Sequence, residues 1–466
     1  MTTAPSSDLA VPGNSGFAVL KTRFAGDIIT PADPGYDEAR TLHNLGYDRF
    51  PAAVVRPTGG EDVATAIRFA RAYDYPVAVR SGGHSIAGHS SVDGALVIDL
   101  ASLSAIEIDA EKRTARVQPG ARSGELAAAA HAYGLALTTG DTSSVGLGGL
   151  TLGGGIGWMV RKYGLTIDNL ISVQMVTATG ELVRASATEN TELFWGLRGG
   201  GGNFGIVTEF EYRLAPVGSV VGGAILLPAT AEVIRGYFDY APNAPEDLTT
   251  IAQIMHAPPA PFVPEEMVGK LVFFVMPCFT GDLAEADAAL APIRALGEVL
   301  VDAVGPMPYP AIYDLMAMAA APHLAAVRSM FADDLSDEAI QGMIDSVTVA
   351  TSPVGMIQLR GLGGAYGRVS PSETAFAHRE RKLLVLVLGL WLDPNEDGAP
   401  HRAWAEAAWK KLQPEGDGVY VNFLEAEGEA RILDAYPEST YNRLAELKRV
   451  YDPENFFQLN QNIRPR

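Results

Sequence analysis

The sequence predicts a globular chain of mixed helices and strands, long enough for two or more hydrophobic cores. Its 466 residues exceed what one hydrophobic core usually holds, at roughly 150 residues per domain. Short apolar or alternating runs that read as strands recur among segments of helical period in both halves. Pro216 and the glycines between Gly218 and Gly223 interrupt that pattern near the middle of the chain. An apolar content of 47% with 19% charged residues is that of a globular protein. The formal charge of −20 opposes binding to nucleic-acid phosphates and anionic membranes, so neither is an expected partner. No apolar run approaches the ~18 residues of a membrane span. The single cysteine, Cys278, rules out a disulfide within the chain and reads as core filler. Residues 1 to about 15 read as an unstructured lead without the features of a signal peptide, and the protein is expected in the cytoplasm.

In chain order, Ala52 to Val55 reads as a strand and Glu61 to Ala72 as a helix with Val63, Ala66, Ile67 and Ala70 on one face. Pro76 to Val79 and Leu96 to Leu100 are short apolar strands. Ile106 to Ile108 and Ala115 to Val117 form a hairpin about the turn at Asp109 to Lys112. Ser123 to Tyr133 reads as a helix capped by its serine and ended by Gly134. Ile171 to Thr177 and Leu182 to Ala185 make a second hairpin. Past the boundary, strands are expected at Gly222 to Leu227, Thr250 to Met255, Lys270 to Pro277 and Met356 to Leu359. Helices are expected at Leu283 to Leu296, 401 to 412 and 438 to 450, and Pro258 to Phe262 reads as a stiff loop.

Three glycine-bearing stretches carry the chemistry. Between two of the apolar strands lies Arg80-Ser81-Gly82-Gly83-His84-Ser85. Adjacent glycines after a strand let backbone N–H groups converge on an anion, and Arg80, Ser81 and Ser85 add charge and hydroxyls. A strand, an anion-cradling loop with one histidine and a second strand make a cofactor site. Val145 to Gly157 alternates glycine with aliphatic residues, unlike a Ser-rich linker, and reads as close approach to something flat and buried. Gly200, Gly202 and Gly205 form a G-x-G-x-x-G. A nicotinamide site would need a strand before it and a helix after it, and here a helical Glu192 to Leu197 precedes and an alternating Ile206 to Tyr212 follows. His84 and His89 have no third ligand close in sequence, so no metal is expected.

The first loop resembles the pyrophosphate loop of the FAD-linked oxidases of the berberine-bridge-enzyme-like group, within the vanillyl-alcohol-oxidase/PCMH superfamily. Val145 to Gly157, Gly199 to Val207 and Tyr451 to Pro465 match that family in the same order. The resemblance implies an α+β fold in two domains, with a PCMH-type FAD-binding domain over residues 1–217 and its core from about 47 to 217. A substrate domain over 218–415 would be an antiparallel sheet covered by helices on one side. Residues 416–466 would return to the flavin with a Tyr-x-Asn strand and an amide-rich tail.

It further implies FAD bonded through its 8α-methyl group to His84. Contacts would come from Val79, Arg80, Ser81, Gly82, Gly83, Ser85 and His89 in the first loop. Gly140, Asp141, Thr142, Val145, Gly146, Gly148, Gly149, Gly153, Gly154 and Gly157 would follow in the second. Gly205, Ile206 and Val207 would supply the third stretch, and Tyr420, Asn422, Asn460 and Asn462 the C-terminal part. Where some members place a second flavin-bonded cysteine, this chain has Thr142, so a single covalent link is expected. Ile86 and Leu150 stand where many relatives have an aromatic residue and a histidine.

Relatives often carry a Glu or Tyr base on the strand after a His-Arg pair. Here His378-Arg379 leads into Leu383 to Leu388, which is core or the apolar wall of a pocket. Tyr420 is the catalytic candidate, although a phenol with an ordinary pKa near ~10 needs help to act as a base. A neutral amine substrate would need no base. The expected activity is oxidation of a small, largely apolar amine, alcohol or phenolic metabolite of secondary metabolism. Hydride would pass to flavin N5 and O2 would be reduced to H2O2, with oxidative cyclisation as a further outcome. The alternatives are an FAD-dependent dehydrogenase with another acceptor and, below it, an oligosaccharide oxidase, since two-link members favour carbohydrates. A serine hydrolase at Gly83-His84-Ser85 and a flavin-free binding module rank last. The hydrolase elbow would need a helix where turn residues and a strand follow.

Overall fold

The computed structural model describes residues 15–466, and the lead expected at the N-terminus falls outside them. The first half builds two sheets. One is a mixed sheet in the order Asp27–Ile29, Ala53–Arg56, Leu96–Asp99, Val77–Arg80. Leu96–Asp99 pairs in parallel with both of its neighbours. Parallel pairing needs a crossover, and the helix Gly60–Ala72 supplies one, with Val63, Ala66, Ile67 and Ala70 fully buried. The loop carrying His84 leaves the end of Val77–Arg80, a largely buried strand at the edge of this sheet beside Leu96–Asp99.

The second sheet is antiparallel, in the order Ile106–Asp109, Thr114–Val117, Ile206–Arg213, Leu170–Val176, Leu182–Ser186. Both expected hairpins form, and Ile206–Arg213 inserts between them. The helix Ser123–His131 begins one residue earlier than a cap at Ser123 would place it. Arg122 occupies the cap position, where its N–H donates to the Glu125 carboxylate at 2.8 Å.

The second half is a nine-stranded sheet with antiparallel pairings throughout. The helices Ala231–Tyr240, Ala286–Arg294, Asp337–Thr348 and Ala399–Leu412 cover one face. There Ile234, Leu290, Ile340 and Trp404 share a core with Ile254, Phe273, Ile357 and Val385. Burying each such side chain contributes about 1.5–3 kcal/mol. The other face turns Leu226, Phe274, Met276 and Met356 towards Trp158, Met159 and Ala136 of the first half. The molecule is thus a two-domain α+β structure, with helices on one side of its large sheet.

Two elements differ from expectation. The strand expected over Gly222 to Leu227 is two strands, Ser219–Gly222 and Ile225–Pro228, broken where Gly223 takes φ +138°. The helix expected over Leu283 to Leu296 is an α-helix only over Ala286–Arg294, after a 3-10 turn. Cys278 is buried, which pushes its thiol up to about 12. No helix among the described residues is long and apolar enough to cross a membrane.

Candidate active site

A deep cavity lies between the two sheets of the first half and the uncovered face of the large sheet. The three glycine stretches and the C-terminal tail, far apart in sequence, meet on its wall. The first loop lines it with Val79, Ser81, Gly82, Gly83, His84, Ser85 and His89. The second contributes Gly140, Asp141, Thr142, Val145, Gly146, Gly148 and Gly149. Gly205, Ile206, Val207, Tyr420, Asn422 and Asn460 complete the expected residues that reach it.

Five expected residues do not line the cavity. Arg80 turns into the protein, where it is paired with Asp99 at 2.8 Å and donates to the Ala39 carbonyl. Burial alone would raise the Asp99 carboxyl, but Arg80 and Arg56 outweigh it and hold the group below its usual range. Gly153, Gly154 and Gly157 admit protein, not ligand. A Cβ on them would meet Asn422 Oδ1 at 2.1 Å, the Phe376 ring at 2.9 Å and the Thr139 carbonyl at 1.8 Å. Asn462 lies beyond the point where the tail leaves the wall, since Ile463 turns into the core with its N–H donated to Asn203 Oδ1.

Ser81 lines the cavity, but its hydroxyl donates to the Pro119 carbonyl and accepts from the Gly148 N–H, so it serves as a brace between loops. Ser85 Oγ accepts from the His89 N–H. Turns at Gly88 and Gly94, both at positive φ, occupy the place of the helix a hydrolase elbow requires.

His84 sits at the centre of a cluster the sequence did not reveal. Its ring stacks on His43 with centroids 3.6 Å apart, and His43 meets His323 edge-on at 5.0 Å. His84 Nε2 shares a hydrogen bond of 3.0 Å with Ser144 Oγ. That leaves Nδ1 as the free ring nitrogen. Burial, reinforced by the neighbouring histidines, pulls His84 down to about 3, and burial pulls His43 down to about 4. Both rings are neutral at physiological pH, so the His84 lone pair is available for bonding.

The unfolded chain binds these protons near the ordinary value of 6.5, whereas the fold resists them. Protein without flavin is therefore expected to lose stability as pH falls from about 6.5 towards 4. Urea midpoints across that window check it. The His43→Phe variant should flatten the slope, and an equally steep slope in that variant would contradict the assignment.

The tail is tied to the third glycine stretch. Asn203 donates to the Gly200 and Gln461 carbonyls, and Asn460 Nδ2 donates to the Gly202 carbonyl. The expected Tyr-x-Asn strand is instead a 3-10 turn over Val421–Phe423, entered from an extended Tyr420. The Tyr420 oxygen accepts from the Gly155 N–H and from Asn422 Nδ2, each at 2.8 Å. Burial dominates these donors and pushes the phenol up to about 12, so it keeps its proton.

The strand Leu383–Trp391 is both core and wall. Leu383, Val385 and Val387 face the covering helices, while Leu386, Leu388 and Leu390 line the cavity. His378 and Arg379 are structural: His378 meets the Asp434 carbonyl, and Arg379 grips Asp168 with two bonds of 2.7 and 2.8 Å. Sequence reasoning also missed Gln253, Gln358 and Arg360, which alternate along the large sheet and line the cavity. Their polar side chains inside otherwise apolar strands were the available signal.

Among the described residues no group of His, Cys, Asp and Glu is arranged to hold a metal ion. The cavity does fit FAD. Gly149 and Gly202 line it and face open space where a Cβ would stand, and Asn460 Oδ1 is buried there without a partner.

Comparison with known proteins agrees with this geometry. Residues 51–186 match the family model described as FAD binding domain, and residues 419–464 the one described as berberine and berberine like. The chain is 31% identical over 464 residues to the (R)-6-hydroxynicotine oxidase of Paenarthrobacter nicotinovorans, covering 94% of this chain and 97% of that one. It is also 31% identical to the chitooligosaccharide oxidase of Gibberella zeae, covering 92% and 91%. The crystal structure of 6-hydroxy-D-nicotine oxidase from Arthrobacter nicotinovorans superposes with a TM-score of 0.86 at 27% identity, over 95% of this chain and 98% of that one. The chain belongs to the berberine-bridge-enzyme-like family of FAD-linked oxidoreductases.

Proposed function

We propose that this chain is an FAD-dependent oxidase whose flavin is held by one covalent bond to His84. Its substrate would be a small, largely apolar amine, alcohol or phenol, and O2 would take up the electrons as H2O2. The observation that carries the reading is the His84 ring. It is neutral, buried in the cavity wall, fixed at Nε2 by Ser144 and free at Nδ1. FAD, when bound, supplies a two-electron acceptor that O2 can reoxidise.

Residues 1–217 would hold the flavin, 218–415 the substrate, and 416–466 would close the site. The Gly82-Gly83 turn, Gly146, Gly149 and the Gly202 to Gly205 stretch would cradle the cofactor, with Asn460 as a polar partner. Thr142 has no thiol, which supports a single link. Leu386, Leu388 and Leu390 exclude water from the substrate side. Tyr420, held protonated with its oxygen already accepting two bonds, would orient a substrate through its own O–H and would act as a base only after losing that proton.

Acid precipitation of the purified protein, followed by peptide mapping, tests the covalent link. A yellow pellet with one FAD on the His84 peptide is expected, along with H2O2 release on a panel of aromatic alcohols, phenols and amines. Colourless protein that takes up no FAD would overturn the reading. Reoxidation by O2 no faster than that of free reduced flavin would replace the oxidase with a dehydrogenase.

A further inference from the structure

We propose that the substrate presents an acidic oxygen, a carboxylate or a phenolate, to the guanidinium of Arg360. This rests on reading the cavity as the oxidase site. Arg360 lies on the strand Val354–Gly361, on the wall contributed by the large sheet, and is 5% exposed. Its Nε donates to Gln358 Oε1 at 2.9 Å, and its Nη2 faces Asp141 Oδ2 at 2.5 Å. Its Nη1 is buried and has no partner. Buried polar groups are nearly always bonded, and a charged donor left without a partner in the wall of a cavity calls for an acceptor from outside the chain.

The surroundings fix the sign of that acceptor. Among the described residues lining the cavity, Arg360 is the only guanidinium or ammonium and Asp141 the only carboxylate. Asp141 is ion-paired through Oδ2 with Arg360, without an aligned hydrogen bond, and its Oδ1 accepts from Thr142 Oγ1 at 3.0 Å. A substrate ammonium would have to compete with Arg360 for the one carboxylate there. An acidic oxygen would find a planar donor whose orientation is held by Gln358 and by the Phe423 ring, 5.0 Å from the guanidinium carbon. Leu386 and Leu388 would enclose the rest of the molecule in apolar surface, where charge-assisted bonds gain strength. The guanidinium therefore selects, from the proposed substrate classes, phenols and molecules carrying a carboxylate.

Titration calorimetry of the flavin-containing protein tests this with four probes of similar size: benzoate, 4-nitrophenolate, benzyl alcohol and benzylamine. At least one anion is expected to bind about tenfold more tightly than both benzyl alcohol and benzylamine, a difference of about 1.4 kcal/mol. Preference for benzoate or for 4-nitrophenolate tells which acidic oxygen the site takes. Arg360→Lys keeps the charge and loses the planar fork, so the preference should fall about tenfold. The Arg360→Gln/Asp141→Asn double variant, which leaves no buried charge unpaired, should abolish it. If neither variant folds, the ranking on the unaltered protein decides. Equal or tighter binding of benzylamine or benzyl alcohol overturns the proposal, as does failure of both anions to bind at millimolar concentration. A preference that survives in the double variant also overturns it. Calorimetry ranks the probes whether or not turnover is seen, and absence of flavin from the purified protein would separately sink the oxidase reading.

Discussion

Replacing Lys448 by methionine is expected to destabilise the protein by about 3–5 kcal/mol, the usual cost of stranding one member of a buried ion pair, and to release flavin. Lys448 and Asp452 lie one turn apart on the helix Glu438–Tyr451 and its cap, 2.7 Å from each other, with neither side chain exposed. The ammonium also donates to the carbonyls of Asn203 at 2.7 Å and Phe457 at 2.9 Å. The carboxylate accepts from the N–H groups of Phe456 and Phe457, both at 2.8 Å. Burial pulls the lysine down, and Asp452 works against that pull. The pair thus nails the start of the tail to the third glycine stretch, and Phe457, Asn203 and Asn460 all face the cavity. Urea denaturation and flavin content measure the two effects. Asp452→Asn, which keeps an acceptor for one of the two N–H groups, should cost less than Lys448→Met. An unchanged midpoint for Lys448→Met would refute the role given to the pair.

Much of this site was legible in the sequence, and what was missed has physical causes. Glycine spaced by aliphatic residues does signal close approach, but it does not say to what. Gly149 faces the cavity, whereas Gly157, eight residues on, faces the Thr139 carbonyl. The charge of Arg80 suggested an anion, yet its partner is Asp99, which the parallel register sets directly beside it on the neighbouring strand. His43 and His323 could not be associated with His84, because ring contacts across 41 residues (His43 to His84) and 280 (His43 to His323) leave no local pattern. Arg360 was overlooked for a different reason. The His-Arg landmark directed attention to Leu383–Trp391, while the polar residues of the wall stand on its neighbour, Val354–Gly361, and on Leu248–His256. The Tyr420 and Asn422 pair was found, but its backbone was misjudged. Two polar residues at i and i+2 suit a strand, and here a 3-10 turn brings Asn422 Nδ2 onto the Tyr420 oxygen.

A pair of glycine substitutions separates the glycines that hold the protein together from those that make room for the flavin. Gly82 and Gly146 approach backbone to backbone. A Cβ on Gly82 would lie 2.3 Å from the Gly146 nitrogen, and one on Gly146 would lie 2.3 Å from the Gly82 nitrogen. Neither contact can be relieved by turning a side chain, so the first and second loops would have to part. The Ser144 to His84 hydrogen bond crosses the same seam. Gly82→Ala is expected to destabilise by at least about 3 kcal/mol, the upper end for overpacking, and to disorder the His84 ring. Gly149 behaves oppositely. It sits inside the helix Leu147–Gly153 with nothing within 4 Å of its would-be Cβ. Alanine in a helix interior is better than glycine by roughly 0.5–1 kcal/mol, so Gly149→Ala should leave flavin-free protein as stable or slightly more so. Its methyl group would stand where the cofactor lies, and the flavin-to-protein ratio should fall. Midpoint and flavin absorbance, measured on both variants, give opposite orderings if the assignment holds. Full flavin loading of Gly149→Ala would place the cofactor elsewhere in the cavity, and an undiminished midpoint for Gly82→Ala would mean that the two loops do not abut.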